Sequence, residues 1–400
     1  MKSTLFWPLF IALAPLPLTA APPTPSPTLS LQVEEYASFP TQQLTGVAVS
    51  KTGRVFVNFP FWSDDHTVSV VEVMPDGSSK PYPGPKWNSK DASVKHRFIC
   101  VQSVYVDDQD MLWILDPAAP KMETVIPGQA KLVKVDLSTN KVVKTYRFDD
   151  TVVPSKAYLN DVRVDTVSGH AFITESGTGS ILVLDTQSGK TRRVLDNHPS
   201  TKAEKGIALL VDGIQVVDPK TGQTPEIHAD GIALDQEGGW LYYHALTGRT
   251  LYRIKTTALT DATLTPAQLE KEVVNVATTP APDGMLEAGN GSLYLTALEA
   301  GAILHFDPRS KETATLIEDP RLQWPDSLSK APDGNLYVTA SQIHRMPRFN
   351  KGQSQQKGPY TLYRIQLNPP PKPAVDEVKK ADPHLPPDPK AALPATNLPK

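Results

Sequence analysis

A single cysteine, Cys100, stands in a chain of 400 residues. One thiol can close no internal disulfide, so a covalent staple is excluded as a source of stability. No CxxC, HExxH, EF-hand, P-loop, dinucleotide or GxSxG pattern occurs, and the readings those motifs carry go with them. An excess of basic charge is also missing. Lys plus Arg number 40 against 43 Asp plus Glu, a net charge of −3, so nucleic acid has no electrostatic footprint here. Past the first 21 residues no apolar run of about 18 residues follows, the length a membrane helix requires. Helical periodicity is nearly absent. Residues 260–272 (TDATLTPAQLEKE) are the one short helix expected, with Thr265-Pro266 at its start.

Proline is plentiful, and its location is informative. Of 39 prolines, 18 fall in residues 1–40 and 369–400, so the intervening body has an ordinary share. Residues 1–21 read as a signal peptide. Met1-Lys2 is followed by an apolar stretch, Leu5 to Leu18, broken by Pro8, Pro15 and Pro17, and then by the small residues Thr19-Ala20-Ala21. An uncleaved anchor is the alternative. Export to the periplasm or the medium is expected, with no membrane contact after cleavage. Residues 22–28 read as a linker and 369–400 as a disordered tail too poor in large apolar side chains to fold. The body is residues 29–368. Cys100 lies in the apolar run Arg97-Phe98-Ile99-Cys100-Val101, which points to a buried, inert thiol.

The body repeats. Six segments open on a polar residue, continue with alternating apolar positions, and turn into a second strand. They begin at Thr45, Gln102, Asn160, Asp230, Asp283 and Asp326, spaced 57, 58, 70, 53 and 43 residues apart. Turn chemistry such as Gly289-Asn290-Gly291 or Pro332-Asp333-Gly334 joins each pair. A third strand follows in every unit and a fourth in most. Four antiparallel strands repeated six times predict an all-β, six-bladed β-propeller; two packed sandwiches are the alternative. Unit six has no fourth strand of its own. Residues 29–38 carry a strand ahead of unit one that is expected to complete it and close the ring.

In a propeller the first strand of each blade lines the central channel, so Thr45, Gln102, Asn160, Asp230, Asp283 and Asp326 are expected to converge at one mouth. Three carboxylates and an amide on one ring admit three readings: caps on neighbouring backbone N–H groups, oxygen ligands for a divalent cation such as Ca2+, or a pocket for an organic ammonium. His228, two residues before Asp230, would share its face in a strand. His96-Arg97 precedes the second inner strand. Trp87, Trp324, Tyr158, Phe59 and Phe61 are candidates for an aromatic rim or for packing between blades. Residues 197–228 form an insertion long enough for a lid. Ser176, in Glu175-Ser176-Gly177-Thr178-Gly179, reads as a turn, and Asn290-Gly291-Ser292 as a sequon in a strand turn.

Several segments in order resemble the major royal jelly/yellow protein family over roughly residues 40–366. They are Val101-Gln102-Ser103-Val104 with Leu112-Trp113-Ile114-Leu115-Asp116, Tyr158-Leu159-Asn160-Asp161-Val162-Arg163-Val164-Asp165, His228-Ala229-Asp230-Gly231-Ile232, and Trp324-Pro325-Asp326-Ser327. The absence of disulfide cysteines departs from insect members and points to a bacterial relative. The resemblance implies a six-bladed propeller near the gluconolactonase/senescence-marker group, in which some salivary relatives bind biogenic amines in the channel. It also implies, for the lactonase relatives, a divalent ion on positions matching Asn160, Asp230 and Asp283. Thr45 stands where those enzymes carry a first-blade Glu, and Asp230 where they usually carry Asn. The expected function is an exported propeller, a monomer, binding a small cationic or aromatic ligand through Gln102, Asn160, Asp230, Asp283, Asp326, His228 and Trp324. A Ca2+-dependent lactone hydrolase with Asp283 or Asp326 as catalytic base is the first alternative, and a protein-interaction scaffold the second.

Overall fold

The computed structural model describes residues 31–367. The leader at 1–21, the linker at 22–28 and the tail at 369–400 lie outside these residues. Apolar alternation bounded by turn residues folds into strands that pair with their sequence neighbours. Blade one comprises Val47–Val49, Val55–Asn58, Val70–Val73 and Ser79–Pro81. Blade two comprises Ser103–Val106, Met111–Asp116, Lys131–Asp136 and Lys141–Arg147. Blade three holds Leu159–Asp165, His170–Glu175, Ser180–Asp185 and Thr191–Val194. Blade four holds Ala229–Asp235, Trp240–Ala245, Thr250–Lys255 and Val274–Thr278. Met285–Gly289, Ser292–Ala297, Ala302–Asp307 and Glu312–Glu318 make blade five. The inner strands touch one another in cyclic order, so the chain is a six-bladed β-propeller.

Blade six is built from both ends of the body. Pro325–Lys330, Leu336–Ala340 and Tyr360–Gln366 take Gln32–Phe39 as their fourth strand. The pairing runs from Gln32 opposite Gln366 to Phe39 opposite Tyr360. Arg364 Nη2 meets Glu34 Oε2 at 2.6 Å, and Tyr36 packs edge-on against Tyr337. An otherwise open sheet edge is thereby paired, as the repeat pattern requires.

The core lies between blades. Trp113, Leu115 and Leu132 of blade two pack on Val162, Val164 and Ile173 of blade three. Ala37, Val47, Val57, Tyr337 and Leu362 bury the closing seam. Two glycines allow the blades to approach. A Cβ on Gly231 would stand 2.6 Å from the Asp283 carbonyl oxygen, and one on Gly284 would stand 2.0 Å from that of Asp326. The Asp-Gly pairs in the sequence therefore serve backbone contact between neighbouring blades. Cys100 is fully buried, and burial pushes its thiol up to about 12. Beside it, Asp116 and Lys131, both wholly buried, pair at 2.7 Å.

The predicted 260–272 helix is two single turns, Thr256–Thr260 and Pro266–Glu270. Thr265 does cap the second turn, its N–H donating to the Gln268 side chain at 2.9 Å. The 197–228 insertion folds as a helical turn, Pro199–Thr201, and a hairpin of Leu210–Val211 with Ile214–Gln215. Leu209, Val211 and Val216 bury themselves against Leu246, Leu298, Trp324 and Met346. A second excursion at this end was not anticipated from sequence. Residues 341–359 of blade six carry the turns Ile343–Arg345 and Pro347–Phe349. Among the described residues no helix is long and apolar enough to cross a membrane.

Candidate functional site

A local irregularity carries the polar residues to the channel mouth. In blades three, four and six the inner strand slips register between Leu159 and Val162, between Ala229 and Ile232, and between Pro325 and Leu328. Each slip contains the residue expected at the mouth: Asn160, Asp230 or Asp326. A bulge re-aims a side chain that strict alternation would have fixed. Threonines at the ends of the second strands secure the arrangement. Thr174 Oγ1 accepts the Asp161 N–H at 3.2 Å and donates to the Asp230 carbonyl at 2.6 Å. Thr296 Oγ1 accepts the Asp283 N–H at 2.9 Å, and Thr339 Oγ1 donates to the Thr45 carbonyl at 2.6 Å.

Gln102, Asn160, Asp230, Asp283, Asp326 and Trp324 all line one cavity of about 230 Å³. The three carboxylates are buried and none takes part in a salt bridge among the described residues. The Asn160 amide donates to Asp230 Oδ1. Trp324 Nε1 donates to Asp283 Oδ2 at 2.6 Å, and Ser341 and Ser327 each donate to Asp326 at 3.1 Å. Burial, then the charge of Asp283, raises the Asp230 and Asp326 carboxyls well above the usual range. Burial lifts Asp283 to about 7; the Trp324 hydrogen bond pulls against this and the Asp161 charge adds to it. Asp161 follows Asn160 in the slipped segment of blade three. With Arg163 it lines a narrower space of about 160 Å³ in the channel.

The aromatic wall is made by Trp62, Tyr158, Trp324 and Phe349. Trp324 is fully buried with φ of 56°, a left-handed backbone that bulky residues rarely adopt and that gathers at functional sites. Its ring stacks on His344 at 5.9 Å. Glu175, buried in the 175–179 turn, accepts the N–H groups of Tyr158, Gly177 and Thr178 and meets Arg193 at 3.2 Å. That turn holds Tyr158 and Ser176 in the wall. Pro225, Glu226 and Ile227 come from the 197–228 insertion, and Ile343, Arg348 and Phe349 from the 341–359 excursion.

Other expected residues lie elsewhere. His228 is not in the cavity wall. The bulge after Ala229 breaks the alternation that would have aligned it with Asp230, and its Nδ1 accepts the Ala203 N–H at 2.9 Å. Thr45 is committed to the blade seam, donating to the Gln102 carbonyl at 2.8 Å and accepting from Asn58 at 2.9 Å. His96 is exposed, and Arg97 donates to the Lys90 carbonyl. Phe59 packs on Phe39, Phe61 on His66 and Trp87 on Phe98, so these three serve packing. Trp62, Phe349 and Asp161 were not selected from sequence. Trp62 and Asp161 are chain neighbours of residues that were: Trp62 follows Phe61 in the loop after the second strand of blade one, and Asp161 follows Asn160 in the slipped segment of blade three.

The residues do not present a calcium cage. Among the described residues no group of three or more His, Cys, Asp or Glu side chains is placed to hold a metal ion. Asn160 turns its amide nitrogen to Asp230, Trp324 occupies an oxygen of Asp283, and Thr45 offers no carboxylate. Calcium prefers six to eight oxygen ligands.

Fold and mouth together define a six-bladed propeller with an acidic, aromatic cavity at one end of its channel. The family profile described as Major royal jelly protein matches residues 99–368, and the chain belongs to that family. Virginiamycin B lyase of Nocardia farcinica (strain IFM 10152) is 23% identical over 186 residues, 46% of this chain and 53% of that protein. The chain thus spans about half the length of this curated relative. Among solved structures, a luciferin-regenerating enzyme superposes with a TM-score of 0.52 at 13% identity, covering 84% of this chain and 95% of the other. A gluconolactonase from Xanthomonas campestris gives 0.51 at 12% identity, covering 84% and 90%. A calcium-binding protein, regucalcin, from Agrobacterium tumefaciens gives 0.51 at 14% identity, covering 84% and 93%. At these identities the likeness is one of fold.

Proposed function

We propose that this protein binds a small organic cation, an amine with an aromatic or apolar body, in the mouth cavity. One observation carries the reading: Asp230, Asp283 and Asp326 are buried together and form no salt bridge among the described residues, in a cavity they share with the rings of Trp62, Tyr158, Trp324 and Phe349 and with Lys156 and Arg348. Like charges so placed hold one another's protons until a cation arrives. An ammonium supplies the charge, and Trp62, Tyr158, Trp324 and Phe349 supply apolar surface and ring faces for it. The leader read from residues 1–21 would place this capture outside the cytoplasm. Export and binding together make a scavenger or carrier of amines.

Isothermal titration with 2-phenylethylamine tests the reading. Binding to the wild type, and at least a tenfold loss in Asp230→Asn and Asp283→Asn, is expected, because a hydrogen bond to a charged group contributes roughly 1.5–3 kcal/mol. Parallel titrations with calcium chloride, with and without chelator, and an assay of gluconolactone hydrolysis decide the alternative. No amine binding, with chelator-sensitive hydrolysis, would replace this reading with a metal-dependent hydrolase.

A further inference from the structure

The outermost strand of blade two, Lys141–Arg147, has no strand on its outer side among the described residues. Four cations gather at this edge: Lys141, Lys144 and Arg147 on the strand, and Lys134 on its neighbour, directly opposite Lys144. Like charges so placed weaken a sheet. Lys95 joins them, because the Arg147 guanidinium donates to the Lys95 carbonyl. None of the five takes part in a salt bridge among the described residues. Asp136 stands opposite Lys141 but is engaged by its own turn, accepting from Ser138 and Thr139. Lysine on an edge strand deters pairing with another sheet, yet that purpose does not require one sign of charge. The outer strands of blades five and six, Glu312–Glu318 and Gln32–Phe39, carry two glutamates each and no Lys or Arg, and that of blade four, Val274–Thr278, carries no charge. The blade-two strand also bulges. Lys134 pairs with Lys144 and Val135 with Val142, which leaves Val143 unpaired and 52% exposed among the lysines. Val94, next to Lys95, is 39% exposed.

We infer that this edge of blade two docks on an anionic lipid surface. The cations meet the headgroups, and Val143 and Val94 enter the layer between them. A soluble polyanion would engage the cations alone and leave both valines in water, so the apolar pair favours lipid. The inference is independent of the amine reading, and it reverses the expectation that the exported body makes no membrane contact. Docked by a blade edge, the ring keeps its channel mouth clear of the lipid.

Co-sedimentation of the purified chain with vesicles tests it, using phosphatidylcholine alone and an equal mixture with phosphatidylglycerol. Sedimentation with the mixed vesicles at low salt is expected, with little at high salt and little with phosphatidylcholine alone. Each cation near such a surface contributes about fivefold to partitioning, so Lys141→Gln combined with Lys144→Gln should weaken it about 25-fold. Val143→Ser, which leaves the charge alone, should weaken it roughly threefold or more. Asp230→Asn should partition like the wild type, which separates this edge from the channel mouth. All the replaced edge residues are exposed, and near-ultraviolet circular dichroism checks that the variants fold. No sedimentation with the mixed vesicles, or sedimentation that the double variant retains, overturns the inference. Binding to dextran sulfate beads as tight as to the mixed vesicles, and indifferent to Val143→Ser, overturns it in favour of a soluble polyanion.

Discussion

Replacing Asp283 by Asn should stabilise the ligand-free protein at alkaline pH. Burial raises the Asp283 carboxyl from 3.8 to about 7 in the folded state, whereas in the unfolded chain it titrates near 3.9. The folded state therefore binds the proton more tightly. The associated stability is fully present below about pH 4 and is lost as pH rises through about 7. A gap of roughly three pH units corresponds to about 4 kcal/mol. A body of this size unfolds with an entropy of about 0.7 kcal/mol per kelvin, so the loss amounts to about 6 °C in melting temperature. Asp230 and Asp326, raised well above the usual range by burial and then by the Asp283 charge, add to the decline in the same direction. Thermal melts at pH 5, 7 and 9 should show the wild type falling steadily and Asp283→Asn falling much less. A saturating amine should flatten the wild-type profile, since it stabilises the ionised form. A wild-type melting point that is level from pH 5 to 9, matched by the variant, would refute the argument, because the carboxylates would then ionise without strain.

Two further outcomes concern the scaffold. Deleting residues 29–40 removes the strand paired with Tyr360–Gln366; melting should fall by roughly 10 °C or more, or soluble protein should be lost, and melting like the intact chain would count against ring closure. Asp116→Asn leaves Lys131 wholly buried without its carboxylate and turns into a donor one of the two oxygens that accept the N–H groups of Ile99, Cys100 and Ala118. Urea unfolding should register a loss of about 3–5 kcal/mol, partly recovered in the double variant with Lys131→Met. An Asp116→Asn protein as stable as the wild type would show that the pair is not uncompensated when broken.

The ring was legible because its information is local. Period-two alternation, turn residues and unit spacing are read along the chain, and the missing fourth strand of unit six pointed to Gln32–Phe39 as its complement. The starts of the inner strands were legible for the same reason: Asp230, Asp283 and Asp326 recur at one position of the unit, and topology alone brings them together. His228 shows where that logic stops. Alternation placed it beside Asp230, but the slip between Ala229 and Ile232 turned it toward Ala203. A bulge is one residue out of register, and no composition or period records it.

The cavity wall required a different kind of information. Trp62, Tyr158 and Gln102 are separated by 96 and 56 residues across their two hydrogen bonds, and no repeat relates them. Each could have been assigned to packing on its own. What makes them neighbours is contact across blades: Trp62 Nε1 donates to the Tyr158 hydroxyl at 2.8 Å, and that hydroxyl stands 2.8 Å from Gln102 Oε1. Contact of this kind is made through space and not along the chain, so the repeat brings the acids and Gln102 to the mouth but does not show what Gln102 meets there. The acids alone would accept any cation that fits. The rings of Trp62, Tyr158, Trp324 and Phe349 in the same cavity add a condition on the rest of the ligand, an apolar body, and the titration with 2-phenylethylamine measures it.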